Sequence, residues 1–157
     1  MIKDIEKEKL KLEYWYAFFD YVDLRDQDWL LPAIGRSFYR VDFKPYGYLG
    51  FHYSCTISVN NWVGVQLYFD GNLLELNKSR YDFVEDKCKS QIDAFKCKMV
   101  EWKRLDEKKS SCINVKLEAD FRDKADWQRQ IEWMYNTMME LHRIVKPYYG
   151  EIRGLSK

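Results

Sequence analysis

Several residue types are scarce in this 157-residue chain, and each scarcity closes off a class of protein. Only 7 glycines and 3 prolines are present, too few for a collagen-like or low-complexity segment. Histidine occurs twice, at His52 and His142, and the cysteines at 55, 88, 97 and 112 form no C-x-x-C pair. A metal centre needs converging ligands at suitable spacing, so no metal site and no cofactor is expected. Scattered cysteines also suit a reducing cytoplasm better than a disulfide framework. No run approaches the ~18 apolar residues of a membrane span, and the opening M-I-K-D-I-E-K-E-K-L is too charged for a secretory signal. The expected location is therefore cytoplasmic, with no membrane partner. Neither sign of charge dominates: 26 basic residues face 25 acidic ones, a net of +1. Polyanion binding driven by net charge is not indicated. G-x-S-x-G, Walker A and G-x-G-x-x-G motifs are absent.

Aromatic residues, by contrast, are abundant. The chain holds 6 Trp, 12 Tyr and 9 Phe, 17% of its length. A domain of this size buries roughly 70% of its unfolded surface, and each aromatic can bury ~150–250 Å². A single core has little room for all of them. Either some line a self-association or ligand surface, or Tyr and Trp sit half-buried with their polar tips in water.

The patterning reads as one α+β domain spanning 1–157, with no internal repeat or linker. Residues 3–22 have helical periodicity, with Ile5, Leu12, Trp15, Phe19 and Val22 on one stripe. Asp23–Pro32 reads as a loop. Three alternating segments follow: Ser37–Lys44, Phe51–Val59 and Trp62–Phe69. Pro45-Tyr46-Gly47 and Asn60-Asn61 supply the turns between them. A second helix is expected over Ser79–Lys96, with Ser79 and Asp82 as a capping box and Val84, Cys88, Ile92 and Phe95 inward. Met99–Leu105 and Cys112–Ala119 read as a hairpin. The third helix carries Trp127, Ile131, Met134, Met138, Leu141 and Val145 on one face, is capped by Asp123 and ends at Pro147. The expected order is α-β-β-β-α-β-β-α. It makes an antiparallel sheet of about five strands with three helices mainly on one face, leaving the other face open.

Few residues carry chemistry. Cys55, Cys88 and Cys112 fall in or beside apolar stripes and read as small core residues. His52, on a polar strand face, reads as solvated or at an interface, and His142 as satisfying a local hydrogen bond. Glu101-Trp102-Lys103 spells E-x-K, half of a restriction-type nuclease signature, in which two carboxylates hold Mg²⁺ and a lysine orients water. A solvated strand face produces the same spelling, and that reading is preferred; the carboxylates available to complete the set are Asp70 and Asp93. Residues 78–109 hold ten basic and seven acidic residues. The open sheet face would carry Arg40, Lys44, His52, Gln66, Tyr68, Lys103 and Lys116, and the hairpin turn adds Arg104, Lys108 and Lys109. Such a surface suits a protein or nucleic-acid partner better than a small-molecule pocket, although interspersed Glu and Asp also describe an ordinary solvated face.

Four stretches carry a family resemblance: Leu67-Tyr68-Phe69, the run Val100-Glu101-Trp102-Lys103-Arg104-Leu105-Asp106-Glu107-Lys108-Lys109, Asp123 through Trp127, and Val145-Lys146-Pro147-Tyr148. In order and spacing they resemble the bacterial and archaeal domain of unknown function 4268, over about residues 50–149. Gln66 stands where that family often has an acidic residue, and Cys112-Ile113 where Arg-Ile is common. The resemblance implies a domain often found C-terminal to a restriction-nuclease-like region, with no catalytic residues assigned to it. The leading expectation is therefore a non-catalytic accessory or interaction domain, associated with DNA, RNA or a nuclease-type protein partner in defence or DNA metabolism. The alternatives are a structural homodimer that uses the open sheet face and a divergent metal-dependent nuclease using Glu101 and Lys103.

Overall fold

A computed structural model of the chain describes residues 2–22, 32–45 and 50–155. The expected loop at Asp23–Pro32, apart from Pro32 itself, and the Tyr46-Gly47 turn lie outside the described residues. The elements run α1 (Ile2–Tyr21), β1 (Ala33–Ile34), β2 (Arg40–Phe43), β3 (Phe51–Ile57), β4 (Trp62–Phe69), α2 (Leu74–Asp93), β5 (Met99–Lys103), β6 (Ser111–Glu118) and α3 (Trp127–Val145). A short α4 (Tyr149–Gly154) follows a 3-10 turn at Lys146–Tyr148. All strand pairings are antiparallel, in one six-stranded sheet of order β1-β2-β3-β4-β6-β5.

Alternation divides the sheet into two faces. Val41, Phe43, Tyr53, Cys55, Val63, Val65, Leu67, Phe69, Ile113 and Val115 are all buried in one apolar cluster. The three long helices meet that face. From α1, Phe18 packs edge-on to Phe43; from α2, Tyr81 packs on Phe69; from α3, Met138 Sδ lies 3.8 Å from Cys55 Sγ. No helix among the described residues is long and apolar enough to cross a membrane.

Several expectations need correction, among them the Asp123 cap, whose side chain bonds no helix N–H and stands before a 3-10 turn rather than before α3. The sheet has six strands, not about five, because Ala33–Ile34 pairs with Val41–Asp42; a two-residue strand has no periodicity to read. The next strand starts at Arg40 rather than Ser37, since Phe38 adopts φ 62° in the turn that precedes it. The second helix begins at Leu74, five residues before the expected cap, so Ser79 and Asp82 are helix interior. Its start is fixed by tertiary contacts: buried Asn77 accepts from the Gly71 N–H and donates to the Gly71 and Lys109 carbonyls. In α1 the buried stripe is Lys11, Tyr14, Trp15, Phe18 and Val22, while Ile5 is exposed. Lys11 enters that stripe because its ammonium reaches the Ser37 carbonyl at 2.6 Å and the Tyr39 ring at 3.8 Å.

Among the described residues the aromatic surplus divides between the core and half-buried positions around it. Tyr14, Trp15, Phe18, Phe43, Tyr53, Phe69, Tyr81 and Phe121 are almost wholly buried, and their rings meet largely edge to face. Buried tips find partners: Trp15 Nε1 donates to the Phe38 carbonyl, and Tyr14 donates to Gln130. Tyr16 and Tyr21 remain exposed.

Candidate functional site

The second face of the sheet carries polar side chains in three rows set by strand register. Arg40, Thr56, Gly64 and Lys116 form one row, Asp42, Ser54, Gln66, Asn114 and Glu101 the next, and His52, Tyr68, Cys112 and Lys103 the third. Lys44 continues the third row just past β2. The open-face set Arg40, Lys44, His52, Gln66, Tyr68, Lys103 and Lys116 is thus brought together, on the side of the sheet away from α1, α2 and α3. Among the described residues, the side-chain contacts of these rows run among themselves and to neighbouring strand ends.

A hydrogen-bonded ladder crosses four strands in the middle of the face. Thr56 Oγ1 donates to Gln66 at 2.6 Å, Gln66 to Asn114 at 3.1 Å, and Asn114 to Glu101 at 3.2 Å. Lys116 Nζ closes it on Glu101 at 2.8 Å, with Lys103 at 3.8 Å. Gln66 and Asn114 are buried beneath this mutual coverage, satisfied by one another; buried amides without partners would be costly. Lys116 also holds the Glu101 carboxyl below the usual carboxylate range, against the opposing effect of partial burial.

At the β2–β3 end sits a charged cluster. His52 is only 6% exposed, with Nδ1 3.2 Å from Asp70 Oδ1 and Nε2 3.6 Å from Asp42 Oδ1. The longer contact is an ion pair rather than a hydrogen bond. Burial alone pulls an imidazole pKa down, but the two carboxylates outweigh it and push His52 up to about 9. Asp42 also accepts from Ser54 at 2.7 Å and pairs with Arg40 at 3.0 Å. Burial raises its pKa, yet His52, Ser54 and Arg40 together leave it lowered. The imidazole stacks on Tyr68 at 5.6 Å, and the Arg40 guanidinium lies 5.3 Å from that ring.

The opposite end repeats this chemistry with other residues. Lys116 Nζ stands 4.4 Å over the Trp62 ring while paired to Glu101, as Arg40 is to Asp42. Trp62 has that position because Gly64 lacks a side chain: a Cβ there would meet the indole at 3.0 Å. Each end is therefore a carboxylate, a cation and an aromatic ring, a cation–π arrangement stabilised on both sides.

Three of the candidate residues stand apart. Arg104 is not on the polar face. Its parity turns it toward α2, where Nε and Nη2 bind Asp82 at 2.8 and 3.0 Å and Nη1 binds Asp106. Lys108 and Lys109 are exposed in the β5–β6 turn. Buried Lys78 anchors that turn, its ammonium lying within 2.9 Å of the Arg104, Leu105 and Ser110 carbonyls and of Ser111 Oγ. His52 also needs correction, since it is buried rather than solvated; alternation fixes its face, but not the Asp70 and Tyr68 neighbours that cover it. The sequence reading missed Asp42, Ser54, Asn114 and Trp62 as members of the site. Their outward parity was legible; their pairing across strands was not.

Among the described residues the E-x-K fragment finds no second carboxylate beside Glu101. Its cross-strand neighbours are Asn114 and then Gln66, and Asp93 accepts from the Trp102 indole on the helix side. Asp70 lies at the far end of β4, against His52. Among the described residues no group of three or more His, Cys, Asp or Glu is placed to hold a metal ion. His142, as expected, serves a local bond, its Nδ1 3.0 Å from the Tyr149 hydroxyl. Cys55, Cys88 and Cys112 are buried and unpaired by disulfides; burial pushes the Cys88 thiol up to about 11, so it is no ready nucleophile.

These features define an α+β domain whose helices pack on one side of an antiparallel sheet and whose other side is a self-paired polar surface. The model of the family described as domain of unknown function (DUF4268) matches residues 10–149, and the chain belongs to that family. No curated protein and no solved structure matches it.

Proposed function

We propose that this domain is a non-catalytic interaction module that docks a protein partner on the polar face of its sheet. The carrying observation is that five strands contribute to a surface on which none of the described helices packs and most ionisable groups already have a partner. His52 is held protonated between carboxylates and Glu101 is committed to Lys116, so neither serves as a free base at neutral pH. Arg40, Lys116 and His52 are matched by Asp42, Glu101 and Asp70, which leaves Lys44 and Lys103 as a modest positive excess on a surface studded with Tyr68 and Trp62. That composition fits a protein interface with aromatic anchors and a polar surround. The family resemblance points to a nuclease-type partner. A groove of about 740 Å³ beside Phe95 and Trp133 is lined mainly by exposed polar residues of α3 and offers no converging polar site.

A photo-crosslinking residue at Tyr68, expressed in the native host, is expected to trap one discrete protein, and Arg40→Glu should abolish the capture. The same probe at Glu132, on the outer side of α3, should trap none of it. Equal capture from both positions would refute the assignment of the face. The nucleic-acid reading rests on Lys103, Lys108 and Lys109. Their turn is held rigid by Asn77 and Lys78, which would present the two exposed turn lysines to phosphates at little entropic cost. Polarisation assays with single- and double-stranded DNA and RNA at about 50 mM salt test it. Salt-sensitive binding lost in Lys108→Ala/Lys109→Ala would favour nucleic acid; no binding leaves the protein-docking reading in place.

A further inference from the structure

The two edges of the sheet are unequal. At one, β1 has only two residues. At the other, β5 runs for five, and among the described residues no backbone hydrogen bond reaches its outer side. Register identifies the groups on that edge. Ala119 N–H donates to the Asn61 carbonyl, one pair beyond Trp62↔Glu118. Hydrogen-bonded pairs alternate along an antiparallel ladder. Leu117, Val115 and Ile113 therefore direct their main-chain groups toward β4, and Lys116, Asn114 and Cys112 direct theirs toward β5. The residues opposite these, Met99, Glu101 and Lys103, are bonded inward. Val100 and Trp102 are left with N–H and C=O pointing outward.

Such an edge templates another strand unless charges or cover prevent it. Here the side chains do not block approach. The Trp102 indole is drawn onto the helix side by Asp93 at 2.7 Å, with Lys89 4.5 Å above it. On the polar face, Glu101 and Lys103 flank Trp102 with opposite charges.

We propose that β5 is a self-association edge: two copies of this chain pair β5 to β5, antiparallel, about a twofold axis at Trp102, with Glu101 of each facing Lys103 of the other. The charge pattern selects this register. Pairing centred on Glu101 would engage the Val100 and Trp102 main chains of both copies but would set Glu101 against its own copy, and like charges directly opposite are destabilising. Centring on Trp102 gives two complementary pairs, and the isologous contact closes as a dimer. The ladder is short, because the Arg104 carbonyl is already taken by Lys78 and Ser111, so the dimer is weak. It joins two six-stranded sheets into one, with both polar faces on the same side. The inference is independent of what that face binds.

Light scattering from about 10 µM to 1 mM should show a concentration-dependent shift from 19.1 kDa toward twice that mass. Lys103→Glu should weaken the dimer by about tenfold or more, through two like-charge pairs, and Glu101→Lys should do the same. Mixing the two single variants should restore association, since a heterodimer opposes only unlike charges. Should Glu101→Lys fold poorly beside Lys116, Val100→Pro provides the second variant; its N–H faces outward, so no internal ladder bond is lost while the ring obstructs pairing. A wild-type chain that stays at 19.1 kDa throughout would overturn the proposal. So would a dimer that survives Lys103→Glu undiminished.

Discussion

On the helix-covered face of the sheet, Phe18, Trp15, Tyr81 and Met138 fill the space against Phe43, Cys55, Leu67 and Phe69, and order comes from shape. On the other face, His52, Gln66 and Asn114 are buried among bonded partners while Asp42 and Glu101 stay half-buried, and order comes from direction. Packing tolerates substitution that conserves volume, whereas a polar ladder loses a bond and strands its neighbours when one member changes. The difference teaches that the polar face is ordered by directed bonds as the core is by packing, with Tyr68 and Trp62 as its aromatic supports.

Three substitutions or conditions sharpen this contrast. The largest effect belongs to the packed face. Trp15→Ala removes a fully buried ring and leaves the Phe38 carbonyl without its donor. It should cost about 3–5 kcal/mol, seen as a lower midpoint in urea unfolding with an unchanged slope. Loss under about 1 kcal/mol would mean that α1 is not integral to the core.

The next effect is a pH dependence on the polar face. His52 has its pKa raised to about 9 from an ordinary 6.5, so the folded state binds its proton more tightly than the unfolded chain does. The contribution is complete below about pH 6.5 and lost as pH rises through about 9, amounting to about 3 kcal/mol. Asp42 acts in the opposite sense: its lowered pKa adds stability above the ordinary carboxylate range, lost as pH falls. Urea melts from about pH 5 to 10 should show the alkaline decline, and His52→Gln should flatten it. NMR titration of the imidazole near its ordinary value would contradict the Asp42–His52–Asp70 cluster.

The smallest effect tests the ladder. Gln66→Leu keeps most of the volume but leaves Thr56 and Asn114 without their shared partner, with an expected cost of about 1–3 kcal/mol. Gln66→Glu separates bonding from shape: it can still accept from Thr56 but places a second carboxylate near Glu101. A neutral outcome for both would show that the ladder is incidental to the fold.

Much of the fold was legible because alternation is a local signal. Trp62–Phe69 reads as a strand with Val63, Val65, Leu67 and Phe69 inward, and the structure matches it end to end. Ile131, Met134, Met138, Leu141 and Val145 mark the buried face of α3 as expected. Elements fixed by distant contacts were not legible. The start of α2 depends on Asn77 bridging Gly71 and Lys109, and the α1 stripe is rotated because Lys11 finds a carbonyl and a ring on the segment before β2. Arg104 illustrates the limit within the site: its basic character was plain, but one step of parity beyond Lys103 turns it to Asp82 on the helix.

Composition and period-two patterning by themselves determined an α+β domain with one apolar and one polar sheet face, because each residue's side of a strand follows from its neighbours in the chain. Tertiary structure alone decided that His52 is buried and charged, that Gly64 makes room for Trp62 under Lys116, and that Glu101 meets Lys116 and Asn114. Those outcomes depend on which residue stands opposite across a strand, and register is set by the whole sheet rather than by any local run.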